Sequence, residues 1–339
     1  MNSRTRLVLV IAIAVACFVA AGGYLVYAKH RQDSAAAAAP PVPTLANVSA
    51  VTAQPHLIFR NTALGQGYGH IAAVPLTNPG GPRVITPAVC DRVYGNPAGE
   101  ICLTADRGLT TTYKSQWLSG DFAHVRDLPL SGLPSRARIS ADGSLVATTT
   151  FVFGDAYTNP GQFSTRTIVS QVNGSSNVDL ETFGLLIDGK PNTASDRNLW
   201  GVTFADTDHF FATAATGGKT YLVSGQLSTH TLTAMHTDVE CPSLSPDHTK
   251  IAFKQHGNLA AGHWRLAVLD LHSGAVTQLA EQRSVDDQVE WLDNGRILYG
   301  LPQTAANSAG SDIWVVPADG TGTPQILVPN AWSPSVIRA

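Results

Sequence analysis

Charge is scarce in this chain. Only 14% of its 339 residues are Asp, Glu, Lys or Arg, against roughly a quarter in an average soluble domain. The 22 basic and 25 acidic side chains leave a formal net charge of −3. No basic excess remains from which to build a nucleic-acid groove, so no polynucleotide partner is expected. Catalytic signatures are missing too: there is no G-x-S-x-G, H-E-x-x-H, Walker or Rossmann glycine pattern, which removes the common hydrolase and nucleotide-binding readings. Eleven histidines are scattered, none at i, i+4 beside a carboxylate, so neither a metal site nor a cofactor is expected. What is plentiful is turn material, with 30 Gly and 20 Pro spread along the chain, and apolar side chains at 44%. That excludes a disordered tail and favours many short turns over long helices.

From Leu7 to Ala28 run 22 uncharged residues, bracketed by Arg4 and Arg6 before and by Lys29, His30 and Arg31 after. A helix rising about 1.5 Å per residue crosses a hydrocarbon core of about 30 Å with roughly 20 residues, whereas a secretory apolar region is usually about 7–15. The segment therefore reads as a signal anchor (residues 1–31, span 7–28). Cleavage after Ala28 or near Ala21, giving a secreted form, and lipidation at Cys17 are the alternatives. Flanking charges are balanced, so the rest of the chain decides sidedness. Residues 32–339 carry 18 basic and 25 acidic side chains, and their cysteines suit an oxidising compartment, which puts them outside the cytoplasmic membrane on a single-pass anchor. Residues 32–55 include the run Ala35 to Pro43 (AAAAAPPVP), with nothing large to bury, and read as a tether. The folded domain is expected over 56–339.

Outside the apolar segment three cysteines remain. Cys90 and Cys102 flank the turn cluster Asn96 to Gly99 between two β-like runs. A hairpin there brings them across neighbouring strands, and the exported setting favours a disulfide. Two buried thiols are the alternative. Cys241 is the odd one and reads as a small core residue. A nucleophilic role for it wants a histidine base, and His236 and His248 are near only in sequence.

A repeat runs through the domain. Apolar triplets recur at Leu57, Ile101, Leu145, Phe210, Ile251 and Ile297, at spacings of 44, 44, 65, 41 and 46 residues. Most follow a turn such as Ala141-Asp142-Gly143, Pro246-Asp247-His248 or Asp293-Asn294-Gly295, whose residue types reverse a strand. A second hairpin follows each triplet, clearest in Trp264 to Ala280 and Ser311 to Pro329. Six units of four short strands predict an all-β, six-bladed propeller. The first triplet lacks a preceding strand, while Pro334-Ser335-Val336-Ile337 at the C-terminus matches Pro242-Ser243-Leu244-Ser245 of the fifth unit. The last strand is therefore expected to complete blade 1 from the inside, with residues 57–86 supplying the other three strands. The long spacing between units 3 and 4 reads as extra loop, within Phe153 to Gln162 or Leu185 to Asn198.

Ser245-Pro246-Asp247 with Ile251-Ala252-Phe253, followed by Ser311 to Val315 and Ala318-Asp319-Gly320, resembles the TolB-type propeller repeat. The chain looks like a TolB-like, membrane-anchored six-bladed propeller of the actinobacterial cell envelope, with similarity over about residues 57–338. Asp238 to Lys254, Asn198 to Phe204 and Val285 to Leu292 carry the likeness most strongly. The resemblance implies a fold and not an activity, because the repeated residues belong to turns and core. His248 stands at the usual turn glycine, the outer strands of blades 2 to 4 depart from the repeat, and an anchor and tether stand where TolB has an extra domain. Prolyl-oligopeptidase-like enzymes carry a similar propeller together with an α/β-hydrolase domain, for which this sequence leaves no residues.

One constellation suggests a site. Asp196 and Arg197 precede blade 4, Asp238 and Glu240 precede blade 5, and Asp286 and Asp287 precede blade 6. Equivalent loops ring one mouth of a propeller channel, so these residues are expected to share a field that attracts a cation or a basic peptide. Solvated turn residues are the plainer reading. Trp117, Trp200, Trp264, Trp291 and Trp314 fall at strand positions and are expected in the core. The function expected is non-catalytic binding of a protein or peptide partner in the envelope. The alternatives are a metal-assisted hydrolase or lyase, or a small-ligand sensor, at the channel mouth.

Overall fold

A computed structural model describes residues 2–38, 41–108, 110–153, 163–304 and 310–338. Six sheets are built mainly from strands consecutive in sequence and antiparallel to their neighbours, and each blade runs from an inner strand at the axis to an outer strand at the rim. Blade 2 is Arg92–Asn96, Gly99–Arg107, Thr111–Leu118 and His124–Leu128. Blade 3 is Leu133–Ile139, Leu145–Phe153, Phe163–Gln171 and Asn177–Asp179. Blade 5 is Glu240–Leu244, Lys250–Gln255, Arg265–Asp270 and Val276–Gln278, and blade 6 is Glu290–Asp293, Arg296–Pro302, Ser311–Pro317 and Gln325–Val328. The apolar triplets supply the second strands. Leu57, Ile58, Phe59, Ile101, Leu103, Ile251, Phe253, Ile297 and Leu298 are fully buried there.

Blade 1 closes the ring. Its three outer strands are His56–Asn61, His70–Pro75 and Arg83–Val89, and its innermost strand is the C-terminal Ala331–Ile337, antiparallel to His56–Asn61. The match between the C-terminal tetrapeptide and blade 5 thus reports a shared place in the sheet. Closure is reinforced across the blade 1–blade 2 boundary. Ser335 Oγ accepts from Gly95 N at 3.0 Å and donates to Gly95 O at 2.9 Å, and Ser333 Oγ does the same with Val93 at 3.2 and 2.9 Å. Two side chains thereby satisfy four backbone groups that the sheets leave unpaired.

The turns explain why the repeat is readable. In blade 5 the Ser245 hydroxyl donates to Asp247 Oδ1 (2.6 Å) and accepts from Lys250 N (3.0 Å), while Thr249 N donates to the same carboxylate oxygen. Blade 3 builds the identical net from Ser140, Asp142, Ser144 and Leu145. The third turn residue takes a left-handed φ in both, 75° at Gly143 and 59° at His248, so the histidine occupies a glycine conformation.

Two expectations need correcting. The extra length between blades 3 and 4 is not loop in its second half. Gly184–Ile187 and Lys190–Asn192 form a hairpin that adds to the outer strand of blade 4, Thr231–Thr237, in parallel. That gives a six-stranded blade whose other strands are Asn198–Phe204, His209–Thr216 and Lys219–Gln226. Its turn is Asp188-Gly189, with φ of 50° and 73°, the two left-handed residues that a tight hairpin requires. Leu180, Phe183 and Leu185 pin it to the blade core. The other segment, 154–162, lies outside the described residues. The tether is also shorter than expected. The N-terminal helix runs Ser3–Ala38, because an alanine run favours helix. Thr44–Leu45 then pairs with Arg83 and Val84 on the outer edge of blade 1, and the short helix Val48–Thr52, capped by Asn47, buries Val51 against that blade. Within the first helix, Ser3–Arg31 has a mean hydropathy of 2.5 and no burial, long and apolar enough to cross a membrane.

Candidate functional site

Each inner strand starts at one end of the channel, here the upper mouth, and finishes at the other, the lower mouth. The loops joining second to third strands also lie at the upper end. Cys90 and Cys102 are linked at that end by a disulfide with Cα atoms 5.4 Å apart. Cys102 lies opposite Val93 in its sheet, while Cys90 precedes the inner strand, so the bond ties blade 2 to the segment leaving blade 1.

An upper cavity of about 360 Å³ opens over blades 3, 4 and 5. Its apolar wall is Phe151, Trp200 and Trp264, and its polar floor is Arg136, Lys254 and Asp286. Lys254 Nζ lies 2.6 Å from Asp286 Oδ1 and 3.8 Å from Glu240 Oε2, and sits 4.1 Å above the Trp264 ring centre. Trp264 Nε1 donates to Glu240 Oε1 at 2.9 Å. Arg136 reaches the same Asp286 oxygen at 3.6 Å. Beside the cavity, Arg92 pairs with the buried Asp287 at 3.1 Å and stacks over Trp332.

The electrostatics follow from burial set against pairing. The Asp286 side chain is largely exposed but its carboxyl reaches into the cavity, where partial desolvation opposes ionisation, and Lys254 first and Arg136 next hold it below the ordinary range. Burial likewise works against the Lys254 ammonium; the Cys241 sulfur and Asp286 outweigh it, and its pKa is raised. Arg92 is pushed down to about 10, by burial first and by the repulsion of Arg136 second, with Asp287 opposing.

Toward the lower mouth, Gln288 donates to Val202 O and Pro242 O, tying blades 4, 5 and 6 together at the axis. Arg138 bonds Val289 O and approaches Glu290 at 3.7 Å, its guanidinium over the Tyr94 ring. A lower cavity of about 260 Å³ includes Arg138, Glu290, His248 and Arg338.

Three of the six residues expected at the mouth do gather there: Glu240, Asp286 and Asp287. They do not form an open acidic field, since Lys254, Arg136 and Arg92 neutralise them from within. The other three belong to the scaffold. Asp196 accepts from Thr216 Oγ1 and Gly217 N, both at 2.7 Å, and Asp238 accepts from His256 N and Gly257 N. Asp91 does the same for Ala105 N in blade 2, so an acid before the inner strand fastens the end of the second strand. Arg197 donates to Phe183 O, immediately before the added hairpin. Among the described residues no three His, Cys, Asp or Glu side chains gather in a metal-holding group.

Arg136, Lys254 and the two tryptophans were the harder residues to see. Trp117 and Trp291 are core residues as expected, but Trp200 and Trp264 are half-buried in the cavity wall. Cys241 is 3% exposed and lines the cavity in a left-handed backbone conformation, φ 50°. No histidine lines the cavity: His248 is at the lower mouth, and His236 is half-buried on the outer strand of blade 4, its ring against Thr237 O. The available signal for the floor is the pair Arg136 and Arg138, which alternate along an inner strand and so share its channel face.

Fold and mouth together define a six-bladed propeller with an aromatic-walled upper cavity over blades 3, 4 and 5 and a lower cavity lined from all six blades. TolB from Acinetobacter baumannii superposes with a TM-score of 0.54 at 12% identity, over 84% of this chain and 67% of that one. A structure described as putative TolB from Agrobacterium tumefaciens matches 80% of this chain and 87% of its own at 14% identity, with a TM-score of 0.49. A puromycin-hydrolyzing peptidase of Mycobacterium tuberculosis gives 0.50 at 12% identity, over 82% of this chain. The chain spans only 45% of that peptidase. No protein-family model and no curated protein sequence matches. At such identities the likeness carries the fold alone.

Proposed function

We propose that the protein is a non-catalytic, membrane-anchored propeller that holds a protein or peptide segment in its upper mouth, on the outer side of the cytoplasmic membrane. One observation carries the reading: the walled cavity lies at the end of the propeller opposite to the point where the N-terminal helix joins. The chain enters at Thr44, beside Arg83 at the start of the outer strand of blade 1, which is the lower end. From the helix end at Ala38 to Thr44 the chain reaches at most about 21 Å at about 3.5 Å per residue, so the lower face stays near the helix and the upper mouth faces away from it. The aromatic wall supplies contact area and the ion-paired floor supplies orientation, the usual division of labour in a binding pocket. The Cys90–Cys102 bond and the net acidity after residue 31 suit an exported domain. Both cavity carboxylates are committed to partners, and the one thiol has no histidine beside it, which favours holding over transforming.

The test is crosslinking in native membranes with the wild-type chain and with Trp200→Asp, which puts a charge into the apolar wall. The reading expects adducts that Trp200→Asp removes while the melting temperature stays unchanged. Adducts equally abundant in both, or turnover of a captured substrate, would overturn it.

A further inference from the structure

The two cations in the cavity floor draw their counter-charge from an unusual direction. The Lys254 and Arg136 side chains are 4% and 10% exposed, whereas the Asp286 carboxylate that bridges them is 63% exposed. A buried cation needs an acceptor, and here it is provided by a side chain reaching in from a solvent-facing loop. Glu240 is less free to move, because Trp264 Nε1 holds one of its oxygens. A carboxylate bridging a guanidinium and an ammonium beside an aromatic wall is the geometry of a carboxylate-binding cleft filled by the protein's own residue. The volume of about 360 Å³ lies at the small end of ligand sites, which span about 300–1,000 Å³, and the cleft opens toward the solvent side.

We propose that this cleft takes the free C-terminal carboxylate of a peptide with an apolar last residue, and that Asp286 is a built-in competitor which the ligand carboxylate displaces from Lys254 and Arg136. The proposal rests on the upper mouth being the partner site. The apolar side chain would lie against Trp200 and Trp264, and the remainder of the peptide would leave through the opening. Asp286 then sets a threshold: removing its charge takes the bridging anion from Arg136 and leaves Lys254 with the longer 3.8 Å contact to Glu240, so affinity for the carboxylate rises.

The experiment uses the full-length chain in detergent with Cys17→Ser, so that Cys241, in the cavity wall, is the free thiol that remains. The probes are N-acetyl-Ala-Ala-Phe as the free acid, the same peptide as its C-terminal amide, and phenylacetate. Binding is read by tryptophan fluorescence and by protection of Cys241 from iodoacetamide. The free acid is expected to protect Cys241 and to bind at least about tenfold more tightly than the amide. Asp286→Asn is expected to tighten the acid about tenfold without changing the amide, and Lys254→Met to abolish the preference. Equal binding of acid and amide would leave the mouth a partner site and overturn the carboxylate assignment. Phenylacetate binding as tightly as the peptide acid would overturn the peptide assignment. No saturable binding by any probe, to wild type or to Asp286→Asn, would overturn the proposal, while adducts lost in Trp200→Asp would still support the mouth reading. The acid–amide comparison in wild type needs no variant to fold.

Discussion

Glu100 gives the sharpest test of the closed ring. It sits on the second strand of blade 2 with 2% exposure, in a neighbourhood of Gly95 that it shares with Ile58 and Ile337 of blade 1, and its Oε2 has no hydrogen-bond partner. Burial, with a smaller push from Asp121, raises its pKa from 4.5 to about 8. The folded state therefore keeps a proton that the unfolded chain releases. Stability is unaffected by this group below pH 4.5, falls by about 1.4 kcal/mol per unit as pH rises toward 8, and levels off above it. Between about pH 5 and pH 8 the accumulated cost is about 4 kcal/mol. Glu100→Gln preserves the shape and removes the titration, so its stability relative to wild type should improve by about that amount across the same window. Chemical denaturation of the full chain in detergent, followed by tryptophan fluorescence at several pH values, reads the difference directly. Glu181, whose pKa burial also raises to about 8, contributes its own slope to both proteins and cancels in the comparison. A wild-type–variant difference that does not change with pH would refute the reasoning, because Glu100 would then be ionised in the fold.

Two further changes probe the turns and the seam. His248→Gly should stabilise the protein by about 0.5–1 kcal/mol, since a non-glycine residue gives up a left-handed φ. Gly143→Ala at the equivalent turn should cost about 3 kcal/mol, because its Cβ would also meet the Ala98 Cβ at 2.2 Å. Opposite signs at two equivalent positions are the outcome to look for in denaturation midpoints. Ser335→Ala leaves the N–H and C=O of Gly95 buried without partners and should cost about 2–4 kcal/mol. A cost below about 0.5 kcal/mol would mean that this seam is not held as described.

The fold is legible in the sequence where its determinants are local. The Ser-x-Asp turns at Ser140 and Ser245 organise their own hydrogen bonds, and the C-terminal Pro-Ser pair stands where blade 5 has its own. The added hairpin was also locally encoded, as Gly184 to Lys190 (GLLIDGK) holds a four-residue apolar strand and an Asp-Gly turn; its glycine and aspartate content masks it as loop. The anchorage of residues 44–52 is not legible, because a two-residue strand and one turn of helix gain their stability from blade 1 and not from propensity. At the mouth, the acids stand out as turn residues before inner strands, and that is why two of the five, Asp196 and Asp238, are fasteners for their own blades. The cations that complete the site come from other strand positions, Arg92, Arg136 and Lys254, brought together by the ring. Pairing across blades is a property of the closed circle and leaves no spacing to read.

The most direct measurement of the central claim is site-specific photocrosslinking in native membranes from three positions: 264 at the upper mouth, 338 at the lower mouth and 276 on an outer strand. If the propeller holds its partner at the end remote from the anchoring helix, adducts form from position 264 and are absent from 276 and 338. Adducts from 338 or 276 with none from 264 would contradict it.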